Sequence, residues 1–238
     1  MNASIQQHAG VKLSASPRTD TFQKMGGAAA LIEAATFLVG MALGFTLLAP
    51  YVTGALDTSQ TIAFLADNQT IVYAWNQVIY LVFGIFLVPL ALALHARLQA
   101  GSPGMMQTAT AFGLIWAGLV LASGMIFNVG LASVIELAGS DMAQAIAMWQ
   151  SVHAVHIGLG GGNEIVGGMW VLLISWAALR GGGLPRLLNY FGLLVSLAGV
   201  ITIVPGLSDV GAIFGLGSIV WFALVGIVLL RSRSNAAA

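Results

Sequence analysis

The chain of 238 residues carries 58% hydrophobic side chains and only 7% charged ones, with eight basic residues balancing eight acidic ones and no cysteine. A soluble domain needs about 25% charge to cover its surface, so a water-soluble enzyme is excluded. The neutral balance leaves no electropositive face for nucleic acid, and the missing thiols exclude disulfides, iron–sulfur clusters and any cysteine-ligated cofactor.

What remains is an all-α polytopic membrane protein, since a chain in lipid must satisfy its backbone within its own helices. Residues 1–24, with Ser14, Ser16, Pro17 and Thr19, read as a disordered cytoplasmic tail. That stretch is too long for the basic start of a signal peptide, so the apolar run behind it is expected to be retained. A span needs about 20 apolar residues to cross a hydrocarbon core ~30 Å thick. Met25–Ala49, Ile71–Leu94, Met105–Val129, Val155–Leu179, Leu187–Pro205 and Val210–Leu230 all qualify. They make one six-helix domain over residues 25–231, followed by a cytoplasmic tail at 232–238. After span one, Val52–Thr70 places Asp57 and Asp67 around an apolar patch, Ile62–Leu65. After span three, Ile135–Ser151 is expected to end in a short interfacial helix.

Charge placement sets the orientation. Lys12, Arg18, Lys24, Arg97, Arg180, Arg186, Arg231 and Arg233 all fall on one side of the six-span layout. Asp57, Asp67, Glu136, Asp141 and Asp209 fall on the other, which carries no Lys or Arg. The positive-inside rule therefore puts both termini in the cytoplasm. Tyr51, Tyr73, Trp75 and Trp149 read as an outer aromatic belt, and Trp176 and Tyr190 as an inner one.

Polar residues within the spans are the functional candidates. Counted at ~1.5 Å per helical residue, Glu164 lies about 24 Å from Arg180, His156 about 36 Å and His153 about 40 Å. Asn76, Gln77 and Asn128 come out near 30 Å from the inner ends of their own spans. With Asn163, these residues are expected to line a pocket open to the outer face. His153 and His156 share a helix face, and Asn163 and Glu164 return to it beyond the run Gly158–Gly162. Two imidazoles and a carboxylate suit a metal ion, with His153, His156 and Glu164 as ligands, provided that the glycine run bends. Bis-histidine haem does not fit, because His95 is inner while His153 and His156 are outer on a single helix. Glu33 is the second candidate, roughly 13 Å inside Lys24. An ionised carboxylate there costs at least ~2.5 kcal/mol, so it is neutral or paired and suited to general acid or proton-carrying work. Small-residue spacings at Gly40/Gly44, Gly158/Gly162 and Gly211/Gly215 read as helix-packing surfaces, through one of which the chain could form a homo-oligomer.

The stretch GGMWVLLISWAALRGGGLPRLLNYFGLL, Gly167–Leu194, resembles an uncharacterised bacterial family of small six-span integral membrane proteins. The resemblance implies the six-helix fold and a bacterial inner membrane, and it carries over no catalytic residue.

The leading functional expectation is binding, with chemical conversion as its extension, of an apolar small molecule such as a membrane lipid, quinone or isoprenoid. Glu164, His156 and Glu33 are its candidate acid–base groups, and His153, Asn163, Asn128, Asn76 and Gln77 its ligand-binding groups. The alternatives are a non-catalytic accessory subunit of a larger membrane complex and a metal-dependent membrane enzyme.

Overall fold

The computed structural model describes residues 17–161, 164–204 and 206–231. Its regular structure is helical throughout, with no strand among the described residues. Helix α1 runs Pro17–Gly44, so the stretch read as tail is helical from Pro17 onward. The remainder of both tails, at 1–16 and 232–238, lies outside the described residues.

Two short helices come next, α2 (Ala49–Val52) and α3 (Thr58–Asp67), then α4 (Gln69–Asn76). A π-helical turn at Gln77–Val82 joins α4 to α5 (Phe83–Leu98). Helix α6 (Pro103–Ala138) is 36 residues long. Helix α7 (Met142–His156) runs into a second π-helical turn, Ile157–Gly161, which leaves helical geometry in a kink at Gly160 (φ 168°, ψ 7°), ahead of α8 (Ile165–Gly181). The chain closes with α9 (Arg186–Ile201), a 3-10 turn at Ser208–Val210 and α10 (Gly211–Arg231).

Five of these segments are long and apolar enough to cross a membrane: Thr21–Gly44, Gln69–Leu98, Pro103–Ala138, Met142–Gly181 and Ser208–Arg231. The fifth span expected from sequence, Leu187–Pro205, is a shorter apolar helix of 16 residues, and Pro205 lies outside the described residues. Helix α9 stops at Ile201, and the next residue turns its side chain back on the backbone. Thr202 Oγ1 donates to the Gly199 carbonyl at 2.7 Å and accepts the Glu164 N–H at 2.9 Å.

Glycines set the closest helix approaches. A Cβ on Gly168 of α8 would lie 2.8 Å from the Val200 nitrogen and 2.9 Å from the Ser196 carbonyl of α9, so only glycine lets these backbones meet. Helix α10 packs along both α9 and α1, and α1 also packs along α5. At one end of the bundle Arg97 Nε donates to the Gly183 carbonyl at 2.7 Å, and Gly27 of α1 lies against Leu230 of α10. The helix ends bearing Lys24, Arg97, Arg180, Arg186 and Arg231 are thus gathered together.

The apolar interior has two parts. The larger runs through the bundle and centres on Phe83, Trp116, Trp170, Trp221 and Phe222. The smaller lies at the end opposite the arginines, where Ile62 and Leu65 of α3 pack with Leu131 and Val134 of α6 and Trp149 of α7. Trp149, read from sequence as a belt residue, is instead 5% exposed and packs edge-on against Phe127 and Tyr51. Trp176 and Tyr190 are exposed at 49% and 61%, as a lipid-facing belt requires. The acidic residues of the far end cap its helices. Asp57 accepts the Gln60 N–H at 2.8 Å and its own N–H donates to the Gln60 side chain, while Asp141 accepts the Gln144 N–H.

Candidate functional site

Two π-helical turns face one another across α6, and the polar groups collect around them. A π turn inserts one residue into a helix and rotates the helix beyond it, and such turns are frequent at functional sites. The first carries Tyr80; the second begins directly after His156.

His156 is 3% exposed and takes protein partners at both ring nitrogens. Nδ1 lies 2.8 Å from Ser123 Oγ and 3.2 Å from the Ser123 carbonyl, while Nε2 lies 3.3 Å from the Tyr80 hydroxyl. Ser123 Oγ donates to the His156 carbonyl at 2.9 Å, which ties α6 to the end of α7. Tyr80 and Phe127 rings flank the imidazole at centroid distances of 5.0 Å. Nearer the far end, Asn76 Nδ2 donates to Asn128 Oδ1 at 2.8 Å and to the Gly124 carbonyl at 3.0 Å.

Beside this network is a cavity of ≈ 330 Å³, bounded by α1, the Trp75–Phe83 segment, α6, Gly160, Glu164 and the start of α10. That volume suits a small molecule. Its walls are aromatic and glycine-rich, with Phe37, Trp75, Phe83 and Trp116 among the lining residues. Tyr80 and Glu164 supply polar groups. Phe45 also lines it and is 60% exposed, so the cavity reaches the surface of the bundle. Gly40, Gly44, Gly211 and Gly215, read from sequence as helix-packing surfaces, line this cavity, as does Gly160. Missing side chains at those positions make the space.

The structure divides the sequence candidates among several places. Glu164 lines the cavity. His156 touches it only through Tyr80, and Asn76 and Asn128 pair with each other outside its lining. Gln77 is exposed, on the side of the π turn away from the buried Asn76 and Tyr80. His153 stacks on Trp149 at 5.2 Å, with its Nδ1 unpartnered among the described residues. Asn163 and Gly162 lie outside the described residues. Glu33 is fully buried, at the middle of the Thr21–Gly44 segment and one turn from Thr36 and Phe37 of the cavity wall. Neither of its carboxyl oxygens has a partner among the described residues.

The metal reading of His153, His156 and Glu164 is corrected by this geometry. Among the described residues no three His, Asp or Glu side chains gather into a ligand set. His156 has no nitrogen free, and His153 lies against an indole.

Two members of the network, Tyr80 and Ser123, were not among the sequence candidates. Tyr80 lies four residues after Asn76, near the face of a residue that was singled out, whereas Ser123, five before Asn128, does not share its face. Neither stood out, because one Tyr or Ser in a span is ordinary.

Searches of protein-family models, curated proteins and solved structures find no match to the chain. The likeness carried by Gly167–Leu194 is therefore without a matching family model, and function rests on the site alone.

Proposed function

We propose that the protein is a bacterial inner-membrane protein that binds a small amphipathic molecule of the lipid, quinone or isoprenoid kind in the cavity beside Tyr80. The apolar body would lie against Phe37, Phe83 and Trp116, with the polar end at Tyr80 and Glu164. The observation that carries this reading is the cavity itself, open at Phe45 to the surface where lipid tails would lie and polar at Tyr80 and Glu164. Mass spectrometry of the full chain purified from membranes tests it. One equivalent of a retained small molecule is expected, lost in Gly211→Phe. A Cβ at Gly211 meets only ordinary contacts, 3.5 Å to Thr202 and 3.7 Å to Glu164, so the larger ring should fill the cavity without breaking the fold. Nothing retained, or equal retention in the variant, would contradict the reading.

We also propose six crossings with both termini in the cytoplasm. In this arrangement α9 is a short span of ~24 Å that a locally thinned bilayer accommodates. Its antiparallel packing on α8 supports this, because Gly192 lies near Ser175 while Gly199 lies near Gly168. The absence of native cysteine makes the test clean. Ser140→Cys should react with an impermeant maleimide in intact cells, and Gln99→Cys only after permeabilisation. The reverse pattern would overturn the orientation.

A further inference from the structure

The hydrogen-bond directions around His156 restrict what the cavity can accept, provided that it binds a ligand as proposed. A backbone carbonyl can only accept, so the Ser123 O contact at 3.2 Å is a hydrogen bond in the tautomer that carries its proton on His156 Nδ1. The single hydroxyl proton of Ser123 is already donated to the His156 carbonyl. Nε2 is then a lone pair, and the Tyr80 hydroxyl must donate to it. Tyr80, a lining residue of the cavity, has then spent its only proton and can only accept from an occupant.

The other hydroxyl in the wall is committed in the same way. Thr36 Oγ1 donates to the Glu33 carbonyl at 2.8 Å, and the Trp75 indole donates to the Gly40 carbonyl at 2.9 Å. Glu164 adds carboxyl oxygens that accept, and in its neutral form one hydroxyl proton to donate. The Trp116 indole makes no hydrogen bond to a described residue, and so it can donate.

We infer that the occupant carries a hydroxyl at its polar end, as an alcohol or phenol, rather than a carbonyl or ether. A hydroxyl donates to Tyr80 or Glu164 and can also accept from Trp116. A carbonyl or ether would place its lone pairs against those of Tyr80. Within the quinone class, this geometry selects the reduced quinol over the quinone.

A matched pair of probes tests the preference. The full chain in phosphatidylcholine nanodiscs is given para-nonylphenol and para-nonylanisole together, at equal concentration, and the one-to-one complexes are counted by native mass spectrometry. The two probes share shape and apolar body, and only the phenol has a hydroxyl proton to donate. About tenfold preference for the phenol is expected, the size of one buried hydrogen bond. Tyr80→Phe should shrink that preference several-fold, by lowering phenol occupancy and raising that of the anisole, which a general loss of structure would not do. Equal occupancy by both probes in the native chain, with both displaced in Gly211→Phe, would overturn the hydroxyl inference and leave the binding reading standing. Binding of neither probe would overturn both.

Discussion

Around the two π turns, His156, Ser123 and Tyr80 satisfy one another across three helical segments, and Asn76 donates twice. Between α8, α9 and α10 the buried polar atoms behave differently: Ser175 Oγ, Ser218 Oγ and the indole nitrogens of Trp170 and Trp221 have no partner among the described residues. In both regions small residues allow the approach, yet only the first uses it to connect polar groups. At Gly192, the position a Cβ would take is crowded by Ser175 Oγ and the Trp221 indole nitrogen. Packing brings these groups together there, and no hydrogen bond results. Asn76 Oδ1 also lacks a partner among the described residues, but the Ser123–His156–Tyr80 bonds fix a geometry, whereas scattered unpaired hydroxyls record only tight packing. The difference sets the first region, which lies beside the cavity of the proposed ligand, apart from the second.

Substitutions can break that comparison, beginning with the scaffold. Gly168→Val would push α9 off α8 at a contact made of backbone, and it should cost about 3 kcal/mol. The readout is the unfolding midpoint in detergent, and an unchanged midpoint would mean that the two helices do not touch there. His156→Ala should cost about 2–3 kcal/mol, because it strands Ser123 and Tyr80 and leaves a hole. Ser218→Ala, its counterpart among the unpaired groups, should change stability by less than about 0.5 kcal/mol. Equal losses in the two variants would erase the distinction between the regions.

Glu33 sharpens the contrast, since it lies within the bundle and beside the cavity but joins no network among the described residues. Glu33→Gln should alter stability by no more than about 1 kcal/mol, because no described partner is lost. A loss of about 3–5 kcal/mol would reveal a charged partner left stranded.

Much of this was legible in the sequence. Hydropathy located the long helices, the basic residues marked one end, and the spacing from Arg180 put Glu164 at the level where the cavity lies. The inward placement of Asn76 and His156 was legible as well, both being buried polar residues of apolar helices. Tyr80 was hidden because a regular 3.6-residue count does not anticipate the turn at Gln77–Val82, and Ser123 because a single serine in a span is ordinary. The glycines were read only in part, because a missing side chain serves close packing and cavity formation alike: Gly40 and Gly215 pack closely on Ile79 and Met41 and line the cavity as well. The length of α9 was overestimated because Thr202–Val204 are apolar enough to extend a span by composition, while the helix itself ends at Ile201.

The smallest expected effect concerns the capping end. Two bonds, first from the Gln60 N–H and then from the Ser59 hydroxyl, hold the Asp57 carboxyl below its ordinary value. A group whose folded value is depressed stabilises above its unfolded value, and that support is lost as pH falls through the folded one. Amide exchange in α3 should therefore stay slow at neutral pH and quicken in acid, after correction for intrinsic rates, while the amides around His156 hold. Asp57→Ala should show the faster α3 exchange already at neutral pH. Unchanged α3 protection in that variant would remove the capping role.

Everything inferred about the ligand depends on the Ser123–His156–Tyr80 network being complete and running in one direction. Nitrogen-15 NMR of histidine-labelled protein in lipid measures this directly, with His156→Gln identifying the signal. A neutral imidazole with a protonated Nδ1 and a bare Nε2 is expected, together with a Tyr80→Phe variant in which Nε2 shifts as its donor disappears. A proton found on Nε2 would instead make Tyr80 a donor to the cavity, and the preference for a hydroxyl would fall with it.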